Sequence, residues 1–125
     1  MVHRLLIVED DSANLQVLWK TLEQGGFVMD AATTADDALA LARTTQYSAI
    51  LVDVGLPGLD GLELCRRLRQ DPRGTALPIV VTSAYAAPEE IAQAERAGAT
   101  QYLTKPLDFS ALPGLLRELI ETTGH

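Results

Sequence analysis

The sequence predicts an α/β fold, a doubly wound three-layer sandwich in which helices cover both faces of a parallel five-stranded sheet. Five short apolar segments alternate with five segments whose apolar residues recur at helical spacing. Strands that are separated by helices pair in parallel, and their crossover connections are right-handed. Two of the five helices must then cover one face of the sheet and three the other, or nearly so.

The elements follow one another along the chain in a regular order. The predicted strands are residues 4–8, 27–31, 47–52, 78–81 and 99–104. Helices are expected between them and after the last strand. The third helix is expected over residues 58–70, with Asp60 near its start as a turn or cap residue, and the fourth over residues 88–97.

Residues with special capping or backbone properties set the ends of the first and last helices. Asp11 or Ser12 is the expected N-cap of the first helix, and Gly25 with Gly26 ends it. We expect Ser110 to cap the last helix, because Pro113 then falls in the first turn, where its missing N–H is not needed.

Composition excludes several classes of protein. At 125 residues and 47% apolar content, residues 1–125 are expected to form one domain with a core of its own. The formal charge of −7 argues against direct nucleic-acid binding. No apolar run approaches the ~20 residues of a membrane span, and the first residues do not have a signal-peptide layout, so we expect a cytoplasmic protein. The single cysteine, Cys65, is expected to be a packing residue and not a nucleophile.

Chemically reactive side chains follow the predicted strands at the points where the strands end. Glu9 and Asp10 follow the first strand, and Asp53 follows the third. In the same way, Thr82 follows the fourth predicted strand and Lys105 follows the fifth. The carboxyl ends of parallel strands meet at one edge of a sheet, which is where open α/β sheets bind their ligands. We therefore place the candidate site at that edge.

The three carboxylates among these residues indicate a cation site. Like charges raise one another's pKa unless a cation lies between them. Because no His or Cys lies beside Glu9, Asp10 and Asp53, the ligand set favours Mg²⁺ over zinc. A magnesium ion with open positions can receive a phosphoryl oxygen, and Lys105 and Thr82 can bind two more. Asp53 is then the nucleophile that forms an acyl phosphate.

Four segments of the chain resemble the receiver domains of two-component response regulators. They are VEDD at residues 8–11, VDVGLPGLDG at 52–61, VTSA at 81–84 and YLTKP at 102–106. The segments occur in the order and spacing of that family, and the resemblance covers the whole chain. It implies a flavodoxin-like fold with strand order 2-1-3-4-5. Within that family, the chain most resembles single-domain regulators and the receivers of hybrid kinases. Whether it is a stand-alone regulator or a piece of a larger protein stays open.

The resemblance implies a role for each residue of the site. Asp53 would accept a phosphoryl group from a histidine kinase or a histidine phosphotransfer protein. Asp10, Asp53 and the Gly55 carbonyl would bind Mg²⁺ directly, and Glu9 would act through a water molecule. Lys105 would hold the phosphoryl group. Gly55 departs from the larger residue that is common in the family, so the lifetime of the phosphoryl group is not predicted.

The resemblance also implies a conformational switch. Thr82 would move toward the phosphoryl group and Tyr102 would turn inward behind it. The surface formed by the fourth helix, fifth strand and fifth helix would then change for a downstream protein target or for a phosphorylation-dependent homodimer. The Lys105-Pro106 peptide bond can be cis or trans. The chain would catalyse only its own phosphorylation and dephosphorylation, as a signalling switch and not an enzyme that turns over a metabolite.

Two other functions stay open. An aspartyl-phosphate phosphatase or mutase usually needs a second carboxylate two residues after the nucleophile, and Gly55 at that position argues against it. A receiver-like binding module that is never phosphorylated would not need a complete site, and the presence of Asp10, Asp53, Thr82 and Lys105 argues against it.

Overall fold

Within residues 2–55 and 60–123, which the computed structural model describes, five parallel strands form one sheet with α-helices on both faces. The strands are β1 (Arg4–Val8), β2 (Val28–Ala32), β3 (Ala49–Asp53), β4 (Ile79–Ser83) and β5 (Gln101–Thr104). The helices are α1 (Ser12–Gln24), α2 (Ala35–Thr44), α3 (Gly61–Gln70), α4 (Pro88–Ala97) and α5 (Leu112–Thr123), with a short 3₁₀-helix at Pro72–Gly74. The strand order is β2-β1-β3-β4-β5, as the resemblance implied.

Each face of the sheet has its own apolar core, because successive side chains of a strand point to opposite faces. Leu6 and Ile50 face the core that α2, α3 and α4 cover, whereas Leu5 and Leu51 face the core under α1 and α5. Every residue of β3 and of β4 is buried, which explains their continuous apolar sequences. The predicted division into two and three helices is therefore confirmed.

Most helix ends lie where the sequence indicates them. The Asp11 carboxylate accepts the N–H of Ala13 at 2.9 Å and caps α1, which decides between the two predicted caps. Asp60 caps α3 through the N–H of Glu63 at 2.8 Å, so this helix begins at Gly61 and the predicted start at residue 58 is wrong. Residues 56–59 of the recognised motif lie outside the described residues. Of the helices described, none has both the length and the apolar character needed to cross a membrane.

The last helix begins later than predicted. The Asp108 carboxylate accepts the N–H groups of Ser110 and Ala111 and the hydroxyl of Ser110. These bonds hold residues 109–111 in a turn, and α5 begins at Leu112. The prediction that Ser110 caps the helix is wrong, because its hydroxyl is a donor to Asp108. Pro113 nevertheless lies in the first turn, where its missing N–H costs nothing.

The Arg69 guanidinium joins three segments at the edge of the sheet opposite to the candidate site. It donates to the carbonyl of Gly98 from Nε at 2.9 Å and from Nη2 at 2.7 Å. Its other bonds reach the carbonyls of Gly74 and Leu77 and the hydroxyl of Thr100. Among the described residues no carboxylate pairs with it, so main-chain carbonyls and the Thr100 hydroxyl satisfy this cation. Arg69 thus fixes the end of α4 and the start of β5 to α3.

Replacing Arg69 by methionine should lower the free energy of unfolding by about 2–4 kcal/mol, because several main-chain carbonyls lose a charged donor. Urea denaturation followed by circular dichroism measures this change. Arg67→Met is the matched control, since Arg67 is half exposed and, within residues 2–55 and 60–123, its ion pair is with Glu63 at 3.5 Å. It should change stability by no more than about 0.5 kcal/mol. Equal effects of the two variants would show that Arg69 does not have the proposed structural role.

The Cys65 thiol lies in the core beneath α3, fully buried, and burial raises its pKa to about 12. The thiolate is the reactive form, so the folded protein should not react with a disulfide reagent at pH 8. We expect complete labelling only after denaturation, measured by the release of thionitrobenzoate. Rapid labelling of one thiol without denaturant would contradict the assignment of Cys65 as a packing residue.

Candidate functional site

The carboxyl ends of β1, β3 and β5 bring three of the predicted site residues into contact. Lys105 Nζ lies 3.2 Å from Asp53 Oδ2 and 4.0 Å from Glu9 Oε1. Only 8% of Asp53 and 2% of Glu9 is exposed. Removing two carboxylates from water is costly, and the lysine offsets part of that cost. The contact exists because β4 alone separates β3 from β5 in the sheet.

Asp53 is held as an ionised carboxylate. Burial raises its pKa, but the hydrogen bonds with Glu9, with the N–H of Gly55 and with Lys105 outweigh burial and hold the pKa below its ordinary value. The Gly55 N–H donates to Oδ1 at 3.1 Å, while Lys105 contacts Oδ2. Both oxygens are therefore oriented, and the group is unprotonated at neutral pH, as a nucleophile must be.

Glu9 is in the opposite situation. Burial, followed by its interaction with Asp53, raises its pKa to about 7. The N–H of Asp11, at the start of α1, donates to Glu9 Oε2 at 3.4 Å and favours the charged form, as does Lys105. These two interactions do not outweigh burial. Glu9 is thus a carboxylate for which a nearby cation would be strongly favourable.

The acidic cluster of Glu9, Asp10 and Asp53 could hold a metal ion. One carboxylate oxygen from each of the three lies within 4.8 Å of the others. Glu9 and Asp53 are buried, whereas Asp10 is exposed and can reach the same point from solvent. Oxygen donors of this kind suit a hard divalent cation such as Mg²⁺. Burial and then the neighbouring Asp53 raise the pKa of Glu9, and such a cation would favour its charged form.

Gly55 lies beside this cluster. A Cβ built at Gly55 would lie 3.7 Å from Asp53 Oδ1, an ordinary contact distance. Within the described residues, a small side chain would therefore fit beside the buried Asp53 carboxylate. The residue two positions after Asp53 has no side chain that could shield the carboxylate or supply an acid or base.

The predicted switch residues are placed on the neighbouring strands. Thr82 is buried in β4 and pairs with Asp53 across the sheet. Tyr102 on β5 donates its hydroxyl to the carbonyl of Tyr85 at 2.6 Å, which holds the ring against the loop before α4. Sequence reasoning missed this acceptor, and it also missed the buried Ser83 hydroxyl, which accepts the N–H of Tyr85 at 3.1 Å. A small polar residue directly after Thr82 is the one signal that could have indicated Ser83.

A cleft of about 410 Å³ opens beside Lys105, between α1 and the segment that follows β5. The Lys105-Pro106 peptide bond that begins this segment is cis. Glu9 and Lys105 lie at one end of the cleft, and the remaining lining is mostly apolar. The residues that line it are Glu9, Asn14, Leu18, Lys105, Pro106, Leu107 and Phe109. The site is therefore accessible to a partner on the side of α1.

In the metal-free protein, the Glu9 carboxyl group should titrate with a midpoint near 7, far above the ordinary value of 4.5. Carboxyl ¹³C chemical shifts followed between pH 4 and 9 measure the midpoint. Lys105→Met should raise it further, because the positive charge of Lys105 lowers the pKa of Glu9. A midpoint near the ordinary value in wild type would contradict the burial of this carboxyl group.

The family model of the response regulator receiver domain matches residues 5–117 of the chain. The transcriptional regulatory protein CseB of Streptomyces coelicolor is 35% identical over 121 residues, which are 97% of this chain and 50% of that protein. The chain therefore spans half the length of this curated relative.

Two solved structures are similar over almost their whole length. A CheY-like response regulator receiver domain protein of Methanospirillum hungatei JF-1 has a TM-score of 0.91 at 27% identity, covering 99% of this chain and 98% of the other. The receiver domain of a sensor histidine kinase of Pseudomonas aeruginosa PAO1, solved with magnesium coordinated in its active-site cleft, has a TM-score of 0.89 at 30% identity, with coverages of 97% and 99%. The chain belongs to the receiver domains of the response regulators of two-component signalling systems.

Proposed function

We propose that Asp53 accepts a phosphoryl group from a phosphohistidine donor, that the reaction uses Mg²⁺, and that the product switches a protein-interaction surface. The observation that carries the proposal is the contact between Asp53 Oδ2 and Lys105 Nζ at 3.2 Å, beside two further carboxylates that could hold a cation. An oriented nucleophile, a fixed cation and a cation-binding cluster are what transfer of a phosphoryl group to a carboxylate requires.

The chemistry is a displacement at phosphorus. An oxygen of the Asp53 carboxylate forms a bond to phosphorus while the bond from phosphorus to the imidazole nitrogen of the donor breaks. The electron pair of that bond stays on the imidazole nitrogen, and because the other ring nitrogen of the donor carries a proton, the ring leaves as neutral imidazole. Because the Gly55 N–H and Lys105 hold the two oxygens of Asp53, little reorganisation is needed before the attack.

The acidic cluster would hold the cation for this step. Asp10, Asp53 and the Gly55 carbonyl are the proposed direct ligands, with Glu9 acting through water. Bound Mg²⁺ would neutralise the charge of the transferring phosphoryl oxygens. Lys105, which now contacts Asp53, would move its ammonium group a short way to the phosphoryl oxygens once the acyl phosphate has formed.

The switch follows from the added charge. Phosphorylation of a carboxylate adds strong acceptor oxygens beside β4, and the Thr82 hydroxyl would donate to one of them. The space beside Thr82 would then accept the Tyr102 ring, at the cost of the bond to the Tyr85 carbonyl. The conformation with Tyr102 turned inward would become the more populated one, which changes the surface formed by α4, β5 and α5.

The donor is proposed to be a histidine kinase or a histidine phosphotransfer protein that docks over the cleft between α1 and the segment after Lys105. The charge of −7 favours a protein target downstream over direct binding of nucleic acid. We further propose that residues 1–125 form one cytoplasmic signalling domain that turns over no metabolite. Related domains occur in a transcriptional regulator and in a sensor kinase, so the nature of the target is a separate question.

Intact-mass spectrometry after incubation with a small acyl phosphate and Mg²⁺ should show one added phosphoryl group on wild type and none on Asp53→Asn. The amide removes the nucleophile and keeps the size of the side chain. Asp60→Asn is the matched control, because Asp60 is an exposed helix cap and asparagine caps helices equally well. This control should be phosphorylated as readily as wild type.

Undiminished labelling of Asp53→Asn would contradict the assignment of the acceptor. If a small donor labels no variant, a cognate kinase and a magnesium titration decide between a receiver and a binding module that is never phosphorylated. Steady hydrolysis of a phosphomonoester by wild type would instead favour a phosphatase.

A further inference from the structure

Gly61, the first residue of α3, lies in direct contact with the backbone of the proposed acceptor. A Cβ built on it would lie 2.7 Å from the carbonyl oxygen of Asp53 and 2.8 Å from the Cα of Val54. It would also lie 3.1 Å from Cγ1 of Val52. The first two of these neighbours are main-chain atoms at the end of β3, so neither can rotate out of the way as a flexible side chain would.

Neither backbone conformation nor helix propensity accounts for a glycine at this position. Among the described glycines only Gly26 and Gly98 have a positive φ, so Gly61 has a conformation that any residue can adopt. Glycine also favours a helix less than alanine does. The remaining explanation is the short distance between the two backbones. A glycine at this position lets the N-terminus of α3 contact the end of β3 with no side chain between them.

This contact bears on the site through Val54. The Gly61 N–H donates to the carbonyl of Val54 at 3.3 Å, and the N–H of Val54 donates to the carbonyl of Thr82 at 3.1 Å. Val54 is therefore held between α3 and β4. The next residue, Gly55, donates its N–H to Asp53 Oδ1. A displacement of Val54 would move the Gly55 peptide relative to the carboxylate that it orients.

We propose that Gly61 is a positioning residue for the acceptor site, and that its missing side chain sets the position of the Val54–Gly55 main chain relative to the Asp53 carboxylate. The inference rests on the proposed function for its consequence in phosphorylation, although the geometric part concerns the metal-free chain alone. A side chain at residue 61 would push Val54 away from α3, and the Gly55 N–H and carbonyl would move with it.

The test compares Gly61→Ala with Gly114→Ala. Gly114 lies in the first turn of α5, and a Cβ built there has no neighbour within 4 Å, so this variant makes the same change to a helix without the contact. In the metal-free proteins, amide NMR spectra should show displaced signals for Val54 and Gly55 in Gly61→Ala only. In magnesium titrations, Gly61→Ala should bind about tenfold more weakly than wild type, as is typical when a residue that supports the ligands is changed. Its phosphorylation rate at saturating Mg²⁺ should fall about tenfold or more.

Gly114→Ala should match wild type in all three measurements. If Gly61→Ala unfolds in buffer, the measurements are repeated with trimethylamine N-oxide, which favours the folded state. Unchanged Val54 and Gly55 signals in a folded Gly61→Ala would overturn the inference. Failure to fold in both conditions would also overturn it, because Gly61 would then be needed for the fold as a whole. If wild type takes up neither Mg²⁺ nor phosphate, the proposed function fails, and the metal-free spectra still decide the role of Gly61.

Discussion

The ion pair between Lys105 and Asp53 is the interaction on which the rest of the site depends. Together with the hydrogen bonds from Glu9 and the Gly55 N–H, it lets a buried carboxylate stay ionised next to Glu9, a second buried carboxylate. Neither the Asp53 carboxylate nor the Lys105 ammonium group could be placed there alone, since an unpaired buried charge is strongly unfavourable. Lys105 reaches Asp53 only because β5 follows β4 in the sheet and all strands run in one direction. The strand order therefore determines which charges meet, and a change of topology would leave the carboxylates of Glu9 and Asp53 without a cation.

The two apolar cores make this edge of the sheet rigid enough for such a pair. β1 and β3 contribute side chains to both cores, so a shift of either strand along its axis would disturb packing on both faces. The opposite edge is fixed differently, by the bonds of Arg69 to the carbonyls of Gly74, Leu77 and Gly98. Arg69 thus fixes the C-terminal end of α4, whereas before its N-terminal end the carbonyl of Tyr85 accepts the Tyr102 hydroxyl.

The sequence predicted the features that depend on local patterns and missed those that depend on tertiary contacts. The strands, the strand ends that carry Glu9, Asp53 and Lys105, and the stops at Gly25 and Gly26 follow from apolar runs and backbone preferences. The start of α5 does not, because the Asp108 carboxylate accepts the hydroxyl of Ser110, the predicted cap, and also the N–H of Ala111. The contact of Gly61 with Asp53 was equally invisible, since a glycine at the start of a helix has several local explanations. The structure shows where the site residues lie, while the roles of all of them stay predictions; these residues are Glu9, Asp10, Asp53, Gly55, Thr82, Tyr102 and Lys105.

Gly55 and Gly61 lie close to Asp53 for opposite physical reasons. On the side of Gly61 there is no free space, because main-chain atoms of Asp53 and Val54 occupy the volume that a side chain would need. On the side of Gly55, a Cβ would meet Asp53 Oδ1 at an ordinary 3.7 Å, so within the described residues there is room for a small side chain. Asp53 therefore has a tightly held backbone and a buried carboxylate with room beside it. In the proposed reaction the held backbone would keep Asp53 aligned with Lys105, while the room beside Gly55 would admit the donor and, afterwards, the water that would hydrolyse the acyl phosphate. Gly55 would then influence the lifetime of the phosphorylated state, and the contact between Gly61 and the end of β3 would influence its formation.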